Sequence, residues 1–471
     1  MRMTLKITVR EGLARAGRAE ILGSTFRIPG LTQKMRGKNV PSSDLHYEGR
    51  VFSLGNVRIE LPRENHIVDS RSYGVGIGYV RLHVEAEGMA GFISDVRERG
   101  VPIVFIDIPE VLSTTLMDQI IALRLGLGMN RLMIGIYDGH PSSLPLLYSV
   151  GCDIVASDGA FKYSRRGLYL TMYSSLNIKD LEETLCSCPY CQSGSSDIYG
   201  HNLFVYRKVF ARVRNAISNG ELWNLTEEMA RAYINNLECL LHIFDRYIDV
   251  LEKFEPRTRR GSVFYYGVET WARPDLRRAY GRLKDIRYGR SFDTPLGKVP
   301  IGLRFVHPFS HMESPLFQEP RAKPSTEEQV EHTLKFQYGV EATSCFRNIK
   351  GSRSKRTGML REVLDGDTIV GMIRPEDGFF IPNIEGARRL SRVLKGRFTV
   401  KVKDEYVKNV LEGLSVYTDH VLELDDGIRP SDEVIIVDSA GEVVGTGKTI
   451  LSAYEINDFD HHPFVKVRHH K

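Results

Sequence analysis

Cys186-Ser-Cys188-Pro-Tyr-Cys191 places three thiols within six residues, and His201 follows ten positions later. Three thiolates and one imidazole are the ligand set of a closed tetrahedral Zn2+ site of the structural kind. Pro189 and Tyr190 form a tight knuckle between the second and third thiol. His201 opens an apolar-periodic run through Val213, so a metal here would pin a helix to the knuckle. The alternative is a set of reduced, buried cysteines beside an unrelated histidine. With six cysteines in 471 residues the chain is too poor in thiols for a disulfide scaffold. The expected compartment is therefore a reducing cytoplasm.

The elements that must position these residues come next. Hydrophobic content of 42% and charged content of 26% are those of a globular protein, and the length suggests about three domains. No apolar run reaches the 18 residues a membrane span needs, and Met1-Arg-Met-Thr-Leu-Lys-Ile-Thr-Val reads as a strand start, not a leader. A net charge of +5 permits nucleic acid without demanding it, so local clustering carries more weight.

Residues 1 to about 70 read as strands and turns, with a hairpin around Gly55-Asn56. From about 74 to 170 short β-branched runs (Val101–Ile108, Arg131–Tyr137, Cys152–Ser157) alternate with helical stretches (Leu112–Leu127, Pro141–Val150). Strands this apolar, alternating with helices, predict parallel βα units. Their number falls short of eight, which predicts a partial barrel. Residues 201 to 253 are mainly helical, broken at Gly220-Glu-Leu-Trp. Between 251 and 300, 12 Lys/Arg stand against 6 Asp/Glu, interleaved with aromatics. Such a stretch suits RNA phosphates and bases, or a solvated face over an aromatic core. Trp223 and Trp271 read as core residues. Pro315 to Pro324 reads as a linker, and Ser325 with Glu328 as a capping box. From Phe398 onward, short evenly spaced strands predict a compact β-barrel. His461, His462, His469 and His470 read as tail residues and not as a metal site.

At the cysteine stretch the sequence resembles the archaeal tRNA-guanine transglycosylases, which insert a deazaguanine base into tRNA on the route to archaeosine. The resemblance rests on Cys186-x-Cys188-x-x-Cys191, His201-Asn-Leu203 and Gly220-Glu-Leu-Trp223. Upstream it includes Gly139-His140-Pro141, Gly151-Cys-Asp-Ile154 and Tyr163-Ser-Arg-Arg-Gly-Leu-Tyr-Leu-Thr171. Downstream it includes Phe254-Glu-Pro-Arg-Thr258, Val306-His-Pro-Phe309, Thr357-Gly-Met-Leu-Arg361, Arg374-Pro-Glu-Asp-Gly378 and Ile384-Glu-Gly-Ala-Arg-Arg-Leu390. Gly427-Ile-Arg-Pro-Ser-Asp-Glu-Val434 and Gly445-Thr-Gly447 look like a PUA domain. The match covers roughly residues 130 to 471.

This resemblance implies an α/β chain: a truncated or degenerate TIM-like barrel with the zinc site, then small α+β domains and a C-terminal PUA β-barrel. The implied domains are 1–253, 254–324, 325–396 and 397–471. The family's nucleophile is an aspartate in a Gly-Cys-Asp-Leu-Phe-Asp segment. Here the segment is Gly151-Cys-Asp-Ile-Val-Ala156, so that position holds Ala156, and a methyl group cannot form a covalent intermediate. Asp158 would lie about 7 Å further along the same face of a strand, at about 3.3 Å per residue. No counterpart of the family's Asp-Ser-Gly-Ser-Phe segment is found.

The implied function is a tRNA-binding paralogue or subunit of the transglycosylase, without base exchange of its own. Its partners would be tRNA and either a catalytic transglycosylase subunit or a second copy of the chain, with neither DNA nor membrane. One alternative is an archaeosine synthase-like enzyme, although the Pro-Cys … Lys-Pro-Tyr signature is missing. The other is an active transglycosylase that uses Asp158. The RNA-binding candidates are Lys350, Arg353, Lys355 and Arg356 in a run without acidic partners, Arg388, Arg389 and Arg392 at helical spacing, and Arg429 in the tail.

Overall fold

The apolar runs of the first half become one sheet. In the computed structural model, which describes residues 3–33, 45–54, 57–68, 70–82, 88–193, 197–313 and 323–471, its strands are β4 (Gly30–Gln33), β8 (His66–Val68), β9 (Ile77–Arg81), β10 (Ile103–Ile108), β11 (Leu132–Tyr137) and β12 (Ile154–Ser157). Their order is β4-β12-β11-β10-β9-β8, parallel except at β8. Helices Met89–Glu98, Thr114–Leu127 and Leu144–Ser149 make the crossovers. Every residue of β11 and β12 is buried, as expected for parallel strands covered on both faces. The earliest parallel strand, β4, pairs with the last, β12, in the register Ala156 to Thr32. That pairing is the seam at which a barrel closes. Five parallel strands fall short of the eight of a full barrel.

Two small antiparallel sheets accompany it. One comprises residues 4–11, 14–21 and 24–28; the other comprises β5 (Leu45–Glu48), β6 (Val51–Leu54) and β7 (Val57–Glu60). The β6–β7 pairing agrees with the expected hairpin, although Gly55 and Asn56 lie outside the described residues. Most of the expected linker at Pro315 to Pro324 lies outside them as well.

Helix Ile198–Asn219 starts earlier than expected, because Asp197 caps it by accepting from the Gly200 amide at 2.9 Å. It ends at Gly220, whose φ of 77° closes the last turn without a Cβ penalty. The buried Glu11 carboxylate then accepts from the Leu222 and Trp223 amides at 2.8 and 3.2 Å, so it starts helix Leu222–Ala230.

The chain divides into two compact units, Met1–Tyr247 and Ile248–Lys471. In the second, helix Thr326–Tyr338 opens with the expected capping box at Ser325 and Glu328. Together with helix Ile384–Leu394 it covers a four-stranded antiparallel sheet, residues 349–353, 360–365, 368–373 and 380–382. A six-stranded, nearly closed barrel follows, with Pro463–His470 between Val416–Tyr417 and Val443–Thr449. One apolar core runs without a break from Val330 through Leu390 to Ile435 and Val443. The buried Arg374 guanidinium ties the two layers by pairing with Asp377 and, at 2.7 Å, with Glu433.

Candidate functional site

The cysteine knuckle folds as the spacing required. Residues Pro189–Gln192 form a single helical turn, with the Cys191 amide donating to the Cys188 carbonyl at 3.0 Å. The second turn of helix Ile198–Asn219 brings up His201, whose Nδ1 lies 3.5 Å from Cys188 Sγ and 3.3 Å from Cys191 Sγ. One ligand atom each of Cys186, Cys188, Cys191 and His201 falls within 4.8 Å of the others. His201 Nε2 sits 2.7 Å from the Leu170 carbonyl and must donate to it, which leaves the Nδ1 lone pair facing the sulfurs. Tyr169 stacks on the imidazole at 3.8 Å between centroids, and its hydroxyl lies 3.4 Å from Cys191 Sγ. Burial lowers the His201 pKa, which favours the neutral ring that can ligate. The donor set and tautomer therefore fit a metal ion.

The C-terminal ends of the parallel strands are where a βα sheet places its chemistry. Ala156 is fully buried on β12, with Thr32 and Ile136 as its neighbours in register. Asp158 is not on the strand, contrary to the expectation from alternation. β12 stops at Ser157, and Asp158 begins helix Gly159–Arg165 in a turn conformation (φ −100°, ψ 8°). Its amide donates to Asp138 Oδ1 at 2.6 Å, and its Oδ2 accepts from the Gly49 amide at 2.7 Å. Asp138 also pairs with Lys162 at 2.7 Å.

The sheet β5–β7 sits over these strand ends. Phe52 packs edge-on to Phe105 of β10 at 4.9 Å. Tyr47 is buried, and its phenol pKa is raised first by that burial and then by Asp138, Asp158 and Asp107. Tyr79 donates to Asp107 Oδ2 at 2.7 Å and is pushed up to about 12, mainly by burial. The mouth holds carboxylates, and a tyrosine and a backbone turn are packed onto them.

Asp153, from the same Gly-Cys-Asp segment, has a structural task. Arg15 Nε and Nη2 reach its two oxygens at 2.6 and 2.8 Å, and Arg124 and the Met133 amide add 3.3 and 2.8 Å contacts. Burial raises its pKa, and the two guanidinium groups outweigh that and hold it below the ordinary value.

The cationic candidates do not gather into one surface. The Arg347 to Arg356 run is a strand, Ile349–Arg353, and a tight turn in which Lys355 and Arg356 are exposed. Lys350 lies 3.7 Å from Asp367, and Arg353 donates to the Gly358 carbonyl. Arg388 lies 3.8 Å from Glu385, and Arg389 pairs with Glu385 and Asp365. Arg392 is exposed and, with Lys395, Arg397 and Lys401, lines a groove of about 580 Å³. Arg429 pairs with Glu252 at 3.0 Å over the Tyr454 ring.

Much of the basic stretch at 251–300 is internal wiring. Arg257 clamps Asp432, Arg273 clamps Asp275, and Arg278 meets Glu252. Trp223 is buried as expected. Trp271 is 42% exposed, which corrects the expectation of a core residue, and it packs on Tyr280 at 4.5 Å. A second groove, of about 520 Å³, was missed in the sequence. Lys6, Arg18 and Arg27 line it with Arg214, and no acidic residue does. Its cations come from three strands and a helix, so no sequence run signals it.

Comparison with known proteins places these features in context. Residues 116–235 match the family model described as queuine tRNA-ribosyltransferase. Residues 328–396 match the patch-forming domain C2 of tRNA-guanine transglycosylase, and residues 398–471 match the PUA domain. The chain is 34% identical over 350 residues to a tRNA-guanine(15) transglycosylase of Korarchaeum cryptofilum, covering 70% of this chain and 59% of that one. It is 31% identical over 372 residues to that of Pyrococcus abyssi, covering 75% and 63%. For Methanocaldococcus jannaschii the identity is 28% over 419 residues, covering 70% and 64%. The chain thus spans about three fifths of the length of these relatives. Among the described residues no helix is long and apolar enough to cross a membrane.

Proposed function

The chain belongs to the archaeal tRNA-guanine transglycosylase family with a C-terminal PUA domain, and within it we propose a tRNA-binding paralogue or subunit without base exchange of its own. The observation that carries this reading is the covered mouth. Ala156 is sealed inside the sheet, and Tyr47 and the Gly49 turn are packed against the neighbouring carboxylates. Covalent exchange needs a carboxylate placed against the ribose carbon to within about an ångström. Gripping a folded RNA needs cations and shape, which the grooves lined by Arg392 and by Arg18 offer.

Zn2+ at Cys186, Cys188, Cys191 and His201 is part of the proposal, as a staple between knuckle and helix. So is the division into domains 1–253, 254–324, 325–396 and 397–471. The partner that supplies the chemistry is a catalytic transglycosylase subunit, or a second copy if the site is completed between chains. The competing reading, exchange through Asp158, draws on the position of that carboxylate at the strand ends.

The test is a single preparation assayed twice. The purified chain shifts a tRNA band in a salt-dependent way and exchanges no labelled guanine into that tRNA. Robust exchange that is abolished in Asp158→Ala overturns the proposal.

A further inference from the structure

The tail histidines carry no metal-site pattern in the sequence, yet the fold brings one of them to two other ligands. Asp419 and His420 lie in the turn Thr418–His420, and His461 precedes strand Pro463–His470. One ligand atom from each of the three lies within 4.8 Å of the others. His461 Nδ1 contacts Asp419 Oδ1 at 2.9 Å. Both rings are held flat against phenols. Tyr406 stacks on His420 at 3.8 Å and 11°, and Tyr417 stacks on His461 at 4.2 Å and 9°. The Tyr417 amide donates to His420 Nδ1 at 3.3 Å and sets that ring's direction. The backbone around the cluster is fixed too: the Thr418 amide donates to the His462 carbonyl at 2.9 Å, and the His462 amide donates to Thr418 Oγ1 at 3.1 Å.

We propose that Asp419, His420 and His461 form a second metal site, selective for a divalent transition ion such as Zn2+. Two imidazoles and one carboxylate are a three-ligand set that borderline ions accept, with a fourth position left to water. Mg2+ and Ca2+ require more oxygen donors than this cluster offers. The environment suits a cation without repelling it: Lys403 directs its ammonium to the Asp419 carbonyl at 2.6 Å, and Glu405 adds a negative charge near His420. His420 is buried, so its imidazole is held toward the neutral, ligating form. The ion would bridge the turn to the start of strand Pro463–His470 and so staple the barrel where Val416–Tyr417 pairs with it. The site stands apart from the cysteine knuckle in both sequence and ligand type, so it does not rest on the tRNA reading.

The test uses untagged full-length protein, stripped with chelator, dialysed against Zn2+ and counted by inductively coupled plasma mass spectrometry. The wild type is expected to hold two ions per chain, and Asp419→Asn and His461→Ala one. Zn2+ is expected to raise Tm less in these variants than in the wild type. Two ions in the wild type and in both variants overturn the proposal, because the second ion then binds elsewhere. Loading with Co2+ guards against a variant that fails to fold. The wild type should show, besides thiolate charge-transfer bands from the knuckle, weak visible bands that saturate separately and have no thiolate partner. A wild type that holds one ion and shows thiolate bands alone overturns the site. A single ion without thiolate bands that is lost in His461→Ala supports it and points instead to failure of the knuckle.

Discussion

The Gly49 amide donates to Asp158 Oδ2 at 2.7 Å, so a backbone turn occupies the carboxylate nearest to the position where the family keeps its nucleophile. Replacing Asp158 by Asn keeps an acceptor there and removes the charge. Asp158→Asn is expected to leave guanine exchange at background and to cost about 1 kcal/mol of stability. Urea denaturation and an exchange assay check both halves.

Restoring the missing side chain should not restore the chemistry. Ala156 is fully buried between β4 and β11. Ala156→Asp puts an unpaired carboxyl into that layer and is expected to destabilise the chain by about 3–5 kcal/mol. Exchange should stay at background in whatever fraction folds. A folded, exchange-active variant would show that the mouth is open enough for substrate.

Asp153 sets a pH dependence. Its folded pKa lies below the unfolded value of about 3.9, so its contribution is complete above that value and is lost as pH falls through the folded one. Wild-type urea midpoints should therefore decline below about pH 4. Asp153→Asn should lower stability by about 3–5 kcal/mol at neutral pH, by leaving Arg15 and Arg124 buried without their partner, and should flatten that acid decline.

Stripping the knuckle of metal, or Cys188→Ser, is expected to lower Tm by about 4 °C or more, a change of roughly 1–2 kcal/mol for a unit of this size. Differential scanning calorimetry with and without chelator reads it. The same loss in His201→Ala would identify the imidazole as the fourth ligand.

The cationic candidates should separate by their partners. Arg392→Ala, and Arg18→Ala in the other groove, are expected to reduce the slope of log K against log salt for tRNA by about 0.7–0.9 for each phosphate that the variant leaves unneutralised. Arg389→Ala and Arg429→Ala should change tRNA binding little and stability more, since their charges are paired with Glu385, Asp365 and Glu252. Filter binding across a salt series separates the two groups.

The sequence by itself determined what local chemistry can encode. Three cysteines in six residues need no fold to name a metal knuckle, a capping box at Ser325 needs only its own four residues, and apolar runs the length of β10 and β11 announce buried parallel strands. Tertiary structure alone decided what each charge meets. Asp153 and Asp158 stand five positions apart with similar surroundings in sequence, yet Arg15 claims one from 138 residues away and the Gly49 turn claims the other from 109. The same holds for Arg429 with Glu252 and for His461 with Asp419. Coulomb and hydrogen-bond partners are chosen by distance in space, and no local pattern of residues carries that distance.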